Sequence, residues 1–367
     1  MPLRGIFFQK EQDMHFEGEK IVFSAADIER AKRTGIENML LRADQYCSAF
    51  SIPYICDLFE LSTELGLPAE DLARIGSRAS MKYRCYYIKT GSGKFRKIEE
   101  PDFELRIVQN RILNHILRYY RISEHAAAYH KGASVKNNAM PHVGKRYLLK
   151  MDLSDFFGHI TDSMLMDTVF SEQHFPYPVG RTLTDICTRN GSVPQGACTS
   201  PAISNIVMKG FDDRMGRWCS YRGISYTRYS DDLTFSSDEP LYPAYRKARM
   251  MLEEMGFGIN DDKTHFITSA GRQQVTGLVV NDKLGIPADY RRRLRQEIYY
   301  VLKFGARDAF SRSDDCRNEP GMTLRRYLLR LIGKTEYVLQ IRNDDRFFRE
   351  AKIKLAEEIA KFSSAEE

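Results

Sequence analysis

The sequence predicts an α+β protein, and three observations carry that expectation. Residues 225–229 and 233–236 read as two strands, rich in Tyr, Thr and Phe, joined by a tight turn. A further apolar run, Tyr147, Leu148, Leu149 and Met151, ends at Asp152 at the start of a region that reads as a sheet backed by helices. Around these lie stretches with apolar residues at helical spacing, such as Leu105, Val108, Ile112, Leu113 and Ile116, or Ile203, Ile206, Val207, Phe211 and Met215.

The elements follow in order. Residues 1–23 read as a polar arm. Ser24-Ala-Ala-Asp27 looks like a capping box opening a helix to about residue 48. A second helical stretch covers about 53–65, and a third runs from Pro68 to near Gly76. Two strands around a Gly91-Ser92-Gly93 turn come next, then a helix over 102–121. The loop Gly191-Ser-Val-Pro194-Gln195-Gly196-Ala197 feeds another helix, with Ser200 as its cap and Pro201 in its first position. Residues 145–285 read as a sheet backed by helices. Residues 286–367 are helical by pattern, and the segment from Lys352 is expected to fray. No internal repeat or low-complexity linker is visible.

The chain has 367 residues with 43% hydrophobic content, enough for a true core and for two or three subdomains. Its net charge of +6, from 55 bases and 49 acids, is modest, so distribution matters more than the sum. The bases concentrate over 291–334, where twelve of them, Arg291, Arg292, Arg293, Arg295, Arg325, Arg326 and Lys334 included, face five acids. Tyr290, Tyr299, Tyr300 and Tyr327 interleave with them. Such a surface suits a nucleic-acid backbone, with binding weakened by salt; the plain alternative is a solvated helical face. Seven scattered cysteines without a Cys-X-X-Cys pair argue against a disulfide framework or zinc site and fit a reducing cytoplasm. The N-terminal apolar stretch is too short for a signal peptide, and no apolar run is long enough to span a membrane.

The chemistry centres on Asp231 and Asp232, expected together in the turn between the two strands. Adjacent carboxylates repel unless a cation lies between them. Joined by Asp152 on rigid backbone, they offer hard oxygen ligands for two Mg2+ ions, one to activate a primer hydroxyl and one to steady a leaving pyrophosphate, about 4 Å apart. Alone, an Asp-Asp pair is more simply a solvated turn. Asp155-Phe156-Phe157 supplies two rings, at least one of them for the core. Gln195 and the Gly196 backbone either line a nucleotide pocket or are ordinary turn residues.

Taken in order, these motifs resemble those of reverse transcriptases. Asp152 opens a stretch similar to motif A, Pro194-Gln195-Gly196-Ala197 resembles motif B, and Tyr229-Ser230-Asp231-Asp232 resembles the Tyr-X-Asp-Asp box of motif C. Gly256 to Thr264 resembles motif D, and Ile88 to Pro101 the fingers segment, so that the likeness covers roughly residues 80 to 340. Two short tags narrow it. Asn138-Ala139-Met140-Pro141-His142 resembles the Asn-Ala-X-X-His signature of retron-type enzymes, and Val275-Thr276-Gly277 their Val-Thr-Gly signature. His142 reads equally as a satisfied histidine near a turn.

The resemblance implies a right-hand polymerase fold: an N-terminal helical extension over 1–80, fingers over 81–144, a palm of antiparallel sheet plus helices over 145–285, and a helical thumb over 286–367. It implies that Asp152, Asp231, Asp232 and the Leu153 carbonyl hold two Mg2+ ions. Phe157 would reject a ribose 2′-hydroxyl by shape. Lys89, Lys94 and Arg96 would meet the incoming deoxynucleoside triphosphate, Arg96 with a bidentate fork. Lys263 either approaches the triphosphate or pyrophosphate or is an exposed lysine. Implied partners are a cognate structured noncoding RNA, its DNA product and a separate effector protein in antiphage defence, with synthesis primed from an RNA 2′-hydroxyl. Alternatives are a group II intron-like or abortive-infection polymerase, or a catalytically silent RNA-binding scaffold.

Overall fold

The computed structural model describes residues 52–53, 55–89, 93, 95–319 and 321–363, with two short paired strands, His15–Glu17 and Lys20–Val22, inside the N-terminal arm. The helix expected over 24–48, the Gly91-Ser92 part of the expected strand-joining turn, and Lys94 lie outside the described residues.

The chain enters through two short helices, α1 (Leu58–Glu64) and α2 (Ala69–Arg78). The first starts later than its pattern predicts because Asp57 caps it, its carboxylate accepting from the Glu60 N–H at 2.7 Å. Strands β1 (Tyr83–Lys89) and β2 (Phe95–Pro101) pair as an antiparallel hairpin whose side chains are mostly exposed. Helix α3 (Phe103–His115) is capped by Asp102 and stops short of the predicted residue 121. Ile116 leaves helical geometry there, and Leu117–Tyr119 forms a tighter 3-10 turn. A one-turn helix, α4 (Val135–Ala139), follows.

The central sheet has four antiparallel strands. Strand β3 (Tyr147–Ser154) lies between β5 (Asp232–Ser237) and β6 (Gly258–Thr268), and β4 (Ser225–Tyr229) is outermost beside β5. The apolar run of β3 is buried because this strand is interior to the sheet, with Leu148, Leu149, Met151 and Leu153 all nearly inaccessible. Helices α5 (Tyr177–Cys187), α6 (Ser200–Ser220) and α7 (Tyr242–Glu254) contribute to the same core as Leu149, Leu233 and Phe235. Helix α6 begins with Thr199 as its cap and Ser200 as its first residue. Ser200 does not cap it as expected; its hydroxyl instead donates to the Pro194 carbonyl at 2.8 Å, closing the preceding loop.

A second core gathers the C-terminal helices α8 (Ala288–Phe304), α9 (Leu324–Ile341) and α10 (Arg346–Ser363). It includes Ala139, Leu148, Val275 and Leu278, so the helical end is anchored to the sheet through the stretches holding the two signature tags. The predicted α+β class, antiparallel sheet with helices and a helical C-terminal part, is the observed one.

Candidate active site

Strand register brings the acidic residues together. Asp152 stands directly opposite Asp232 in the β3–β5 ladder. The Leu153 N–H donates to the Asp231 carbonyl at 3.0 Å, which makes Asp152 and Asp232 a non-hydrogen-bonded pair. In such pairs the Cα atoms approach to about 4.5 Å and the side chains share one face. The N–H and C=O of a strand residue point the same way, so the Leu153 carbonyl also faces the Asp231 turn.

The turn is shorter than the sequence suggests. Tyr229 pairs with Asp232, leaving Ser230 and Asp231 as its two central residues and Asp232 as the first residue of β5. Ser230 has φ +62° while Asp231 stays in the ordinary region, the pattern of a type II′ turn. That turn favours glycine at its first central position, and a serine there costs roughly 1–2 kcal/mol. Two contacts hold it. The Tyr129 hydroxyl donates to Ser230 Oγ at 2.8 Å, and Arg228 Nη1 donates to the Ser230 carbonyl at 3.1 Å.

Asp152 is largely buried and carries its own cation. Lys263 Nζ lies 2.9 Å from each Asp152 oxygen. Four residues of β6, 261–264, lie between the partners of Lys150 and Asp152, where β3 has only Met151. This enlarged bulge, closed by Thr264 Oγ1 donating to the Asn260 carbonyl at 3.1 Å, lets Lys263 reach Asp152. The hydrogen bonds to Asp152 raise the Lys263 ammonium above its usual range. Burial, then the Asp231 charge, raise the Asp232 carboxyl, while Lys150 works in the opposite direction.

These groups fit divalent cations by chemistry: three carboxylates and a carbonyl, hard oxygen donors on adjoining rigid positions, with one ammonium already drawn to them. They are not a closed cage. Among the described residues no three carboxylate, imidazole or thiol groups form a metal-binding cluster.

Phe156 is buried in the core, whereas Phe157 is half-buried beside it, ring centres 5.3 Å apart. The Gln195 carbonyl accepts from the Glu99 N–H at 2.8 Å, tying the loop before α6 to β2. Gly196 has φ +137°, and a Cβ there would sit 2.7 Å from the Glu99 carbonyl oxygen, so close backbone approach requires glycine. Lys89 and Arg96 are exposed on the β1–β2 hairpin.

The basic C-terminal surface is partly neutralised internally. Arg293 pairs with Asp289, Arg295 with Asp345, and Lys334 with Glu297. Arg292, Arg325 and Arg326 are exposed, and among the described residues no carboxylate lies within ion-pair distance of them. Arg291 is half-buried, its Nε unpartnered, and desolvation together with Arg342 and Arg295 lowers its guanidinium.

The two short tags meet in space. Asn138 Nδ2 donates to Thr276 Oγ1 at 3.4 Å, and Thr276 Oγ1 donates to the Val135 carbonyl at 3.3 Å. His142 is fully buried between the Ser236 hydroxyl at 2.7 Å and the Thr227 hydroxyl at 2.9 Å, and so clips β4 to β5. Burial pushes its imidazole down to about 3. Sequence reasoning passed over Arg228 and Asp212, both completely buried and ion-paired at 2.7 Å. The available signal was a carboxylate within the buried stripe Asn205, Met208, Asp212, Met215 and Cys219 of α6.

Residues 88–297 match the family described as reverse transcriptase (RNA-dependent DNA polymerase). The chain is 31% identical over 274 residues to the retron Ec86 reverse transcriptase of Escherichia coli, covering 71% of this chain and 85% of that protein. It is 33% identical over 237 residues to the retron Mx65 reverse transcriptase of Myxococcus xanthus, covering 59% of this chain and 55% of that protein. Against the retron Ec83 reverse transcriptase of Escherichia coli the identity is 31% over 240 residues, covering 61% and 77%.

Proposed function

Since the chain belongs to the retron-type reverse transcriptases, which are RNA-directed DNA polymerases, we propose that it copies a cognate structured noncoding RNA, starting from a 2′-hydroxyl of that RNA. The DNA product stays joined or bound to its RNA, and the ribonucleoprotein acts in the bacterial cytoplasm in antiphage defence with a separate effector protein. The observation that carries the chemical part is the register that sets Asp152 opposite Asp232, one residue from Asp231.

Asp152, Asp231, Asp232 and the Leu153 carbonyl would hold two Mg2+ ions. When bound, such ions supply charge stabilisation at the transferring phosphoryl group and lower the pKa of an attacking hydroxyl. The chain's own residues do the rest. Phe157 narrows the space beside the sugar and disfavours a 2′-hydroxyl. Gln195 and Gly196 define the pocket wall next to β2. Lys89, Lys94 and Arg96 bring positive charge from the fingers hairpin to the triphosphate, and Lys263 does so from β6. Arg291, Arg292, Arg293, Arg295, Arg325, Arg326 and Lys334 offer a basic face to the nucleic-acid backbone.

The test is direct. Purified protein with its copurifying RNA, Mg2+ and deoxynucleotides should yield a covalent RNA–DNA hybrid, and EDTA should abolish synthesis. An Asp231→Ala, Asp232→Ala double variant should lose at least about a thousandfold in rate, the scale set by losing the main electrostatic contribution. Product equal to wild type from that variant would remove the reading; random-sequence DNA would point to a template-independent enzyme instead.

A further inference from the structure

The Ser230–Asp231 turn is an unfavourable conformation for its sequence, and the molecule holds it by a buried assembly with no other evident task. Arg228 is completely inaccessible. Its Nε and Nη2 bind the Asp212 carboxylate at 2.7–3.1 Å, and Nη2 also reaches Asn205 Oδ1 at 3.1 Å. Its remaining terminal nitrogen donates to the Ser230 carbonyl at 3.1 Å. Asp212 takes a further hydrogen bond from the Tyr226 hydroxyl at 2.7 Å.

The same helix controls the other side of the turn. Asn205 Nδ2 donates to the Ala128 carbonyl at 2.8 Å, fixing the segment before Tyr129. That segment runs along the outer edge of β4: Arg228 N–H donates to the His125 carbonyl at 2.8 Å, and Ala127 N–H to the Arg228 carbonyl at 2.7 Å. Tyr129, itself at φ +64°, thereby reaches Ser230 Oγ. Helix α6 thus grips Ser230 twice, by its carbonyl and by its hydroxyl.

We propose that Arg228, anchored by Asp212 and Asn205, and Tyr129 are positioning residues that impose the positive-φ turn at Ser230 and so set where the Asp231 and Asp232 carboxylates stand. A buried ion pair is weak evidence for stability, because apolar residues of similar volume often serve the fold as well. Its fork geometry is what a hydrophobic pair lacks: a planar guanidinium locked on one carboxylate aims its last N–H in one direction. The inference rests on the carboxylates being the reactive centre, and its failure is distinguishable: wild-type protein still makes DNA if only the brace is wrong.

The experiment uses full-length, nuclease-treated protein with Mn2+ as the cation probe, read by electron paramagnetic resonance, alongside primer-extension kinetics. Arg228→Met with Asp212→Leu keeps an apolar core and removes the brace. We expect a folded protein, an at least fivefold rise in half-saturating Mn2+, and a tenfold or greater fall in kcat with the KM for deoxynucleotide changed less than threefold. Adding Ser230→Gly, which adopts the turn unaided, should recover at least a third of the lost affinity and rate. A folded double variant with wild-type Mn2+ affinity and kcat, or no recovery from Ser230→Gly, overturns the proposal. Should the core variant fail to fold, Tyr129→Phe decides: it removes one hydroxyl at a partly exposed position, and a severalfold loss of Mn2+ affinity and kcat is expected. Values equal to wild type in that variant overturn it as well.

Discussion

His142 is a neutral imidazole clasped by two hydroxyls, one from each strand of the hairpin that carries Asp231 and Asp232. Its folded pKa of about 3 lies below the ordinary 6.5, so as pH falls the unfolded chain takes the proton first. The stability it contributes is whole above about pH 6.5 and drains at about 1.4 kcal/mol per pH unit between there and its folded value. Urea unfolding at pH 7.5 and 5.0 should therefore show wild type losing about 2 kcal/mol more than His142→Gln. An equal loss in both would show that this histidine titrates normally. Lys263 makes a second case at this scale. Its side chain is 57% exposed, so the ion pair with Asp152 is screened and contributes only about 0.5–1 kcal/mol. Lys263→Met removes a cation that competes for the same oxygens, and its apparent Mn2+ affinity should rise about two- to fivefold while kcat falls. Weaker Mn2+ binding in that variant would contradict the competition.

At the scale of elements, the β1–β2 hairpin and the loop before α6 are tied together. The Gln195–Glu99 hydrogen bond joins them, and Gly196 lets the backbones touch. Gly196→Ala adds a methyl where 2.7 Å is available and forbids the native φ, so at least about 2 kcal/mol of stability should be lost, with a raised KM for deoxynucleotide. A thermal midpoint unchanged from wild type would show that the two elements move apart freely. Much of the element structure was legible: the β4–β5 hairpin, the apolar run of β3 that leads to Asp152 and the apolar face of α6 all follow from period and composition, although β3 continues past Asp152 to Ser154. The Ser200 cap was not, because the helix takes Thr199 as its cap position, and the Ser200 hydroxyl donates across the loop to the Pro194 carbonyl instead of accepting from a first-turn N–H. The β6 bulge was not legible either. Residues 261–264 are polar, with no strand-like alternation, and their place in the strand depends on pairing with β3.

Across the whole molecule, two cores meet at β3. Leu149 belongs to one and Leu148, on the opposite face, to the other, so the strand bearing Asp152 is packed from both sides. The second core carries the basic C-terminal helices, where internal pairing leaves Arg292, Arg325 and Arg326 as exposed cations. Replacing all three by Ala should weaken RNA binding and flatten the slope of log K against log salt by about 2 to 3, if each meets one phosphate. An unchanged slope would move the nucleic-acid surface elsewhere.

Sequence alone determined the class of fold, the antiparallel hairpin, the acidic motif and the family, because these rest on local periodicity and on short residue strings whose order survives folding. Only the tertiary structure decided that Asp152 faces Asp232, that Lys263 closes on it, that the two signature tags touch, and that Arg228 reaches from Asp212 to the Ser230 carbonyl. Each of those facts is a relation between segments distant along the chain, fixed by strand register and by the need of buried charges for partners, and neither constraint is visible within any single stretch of sequence.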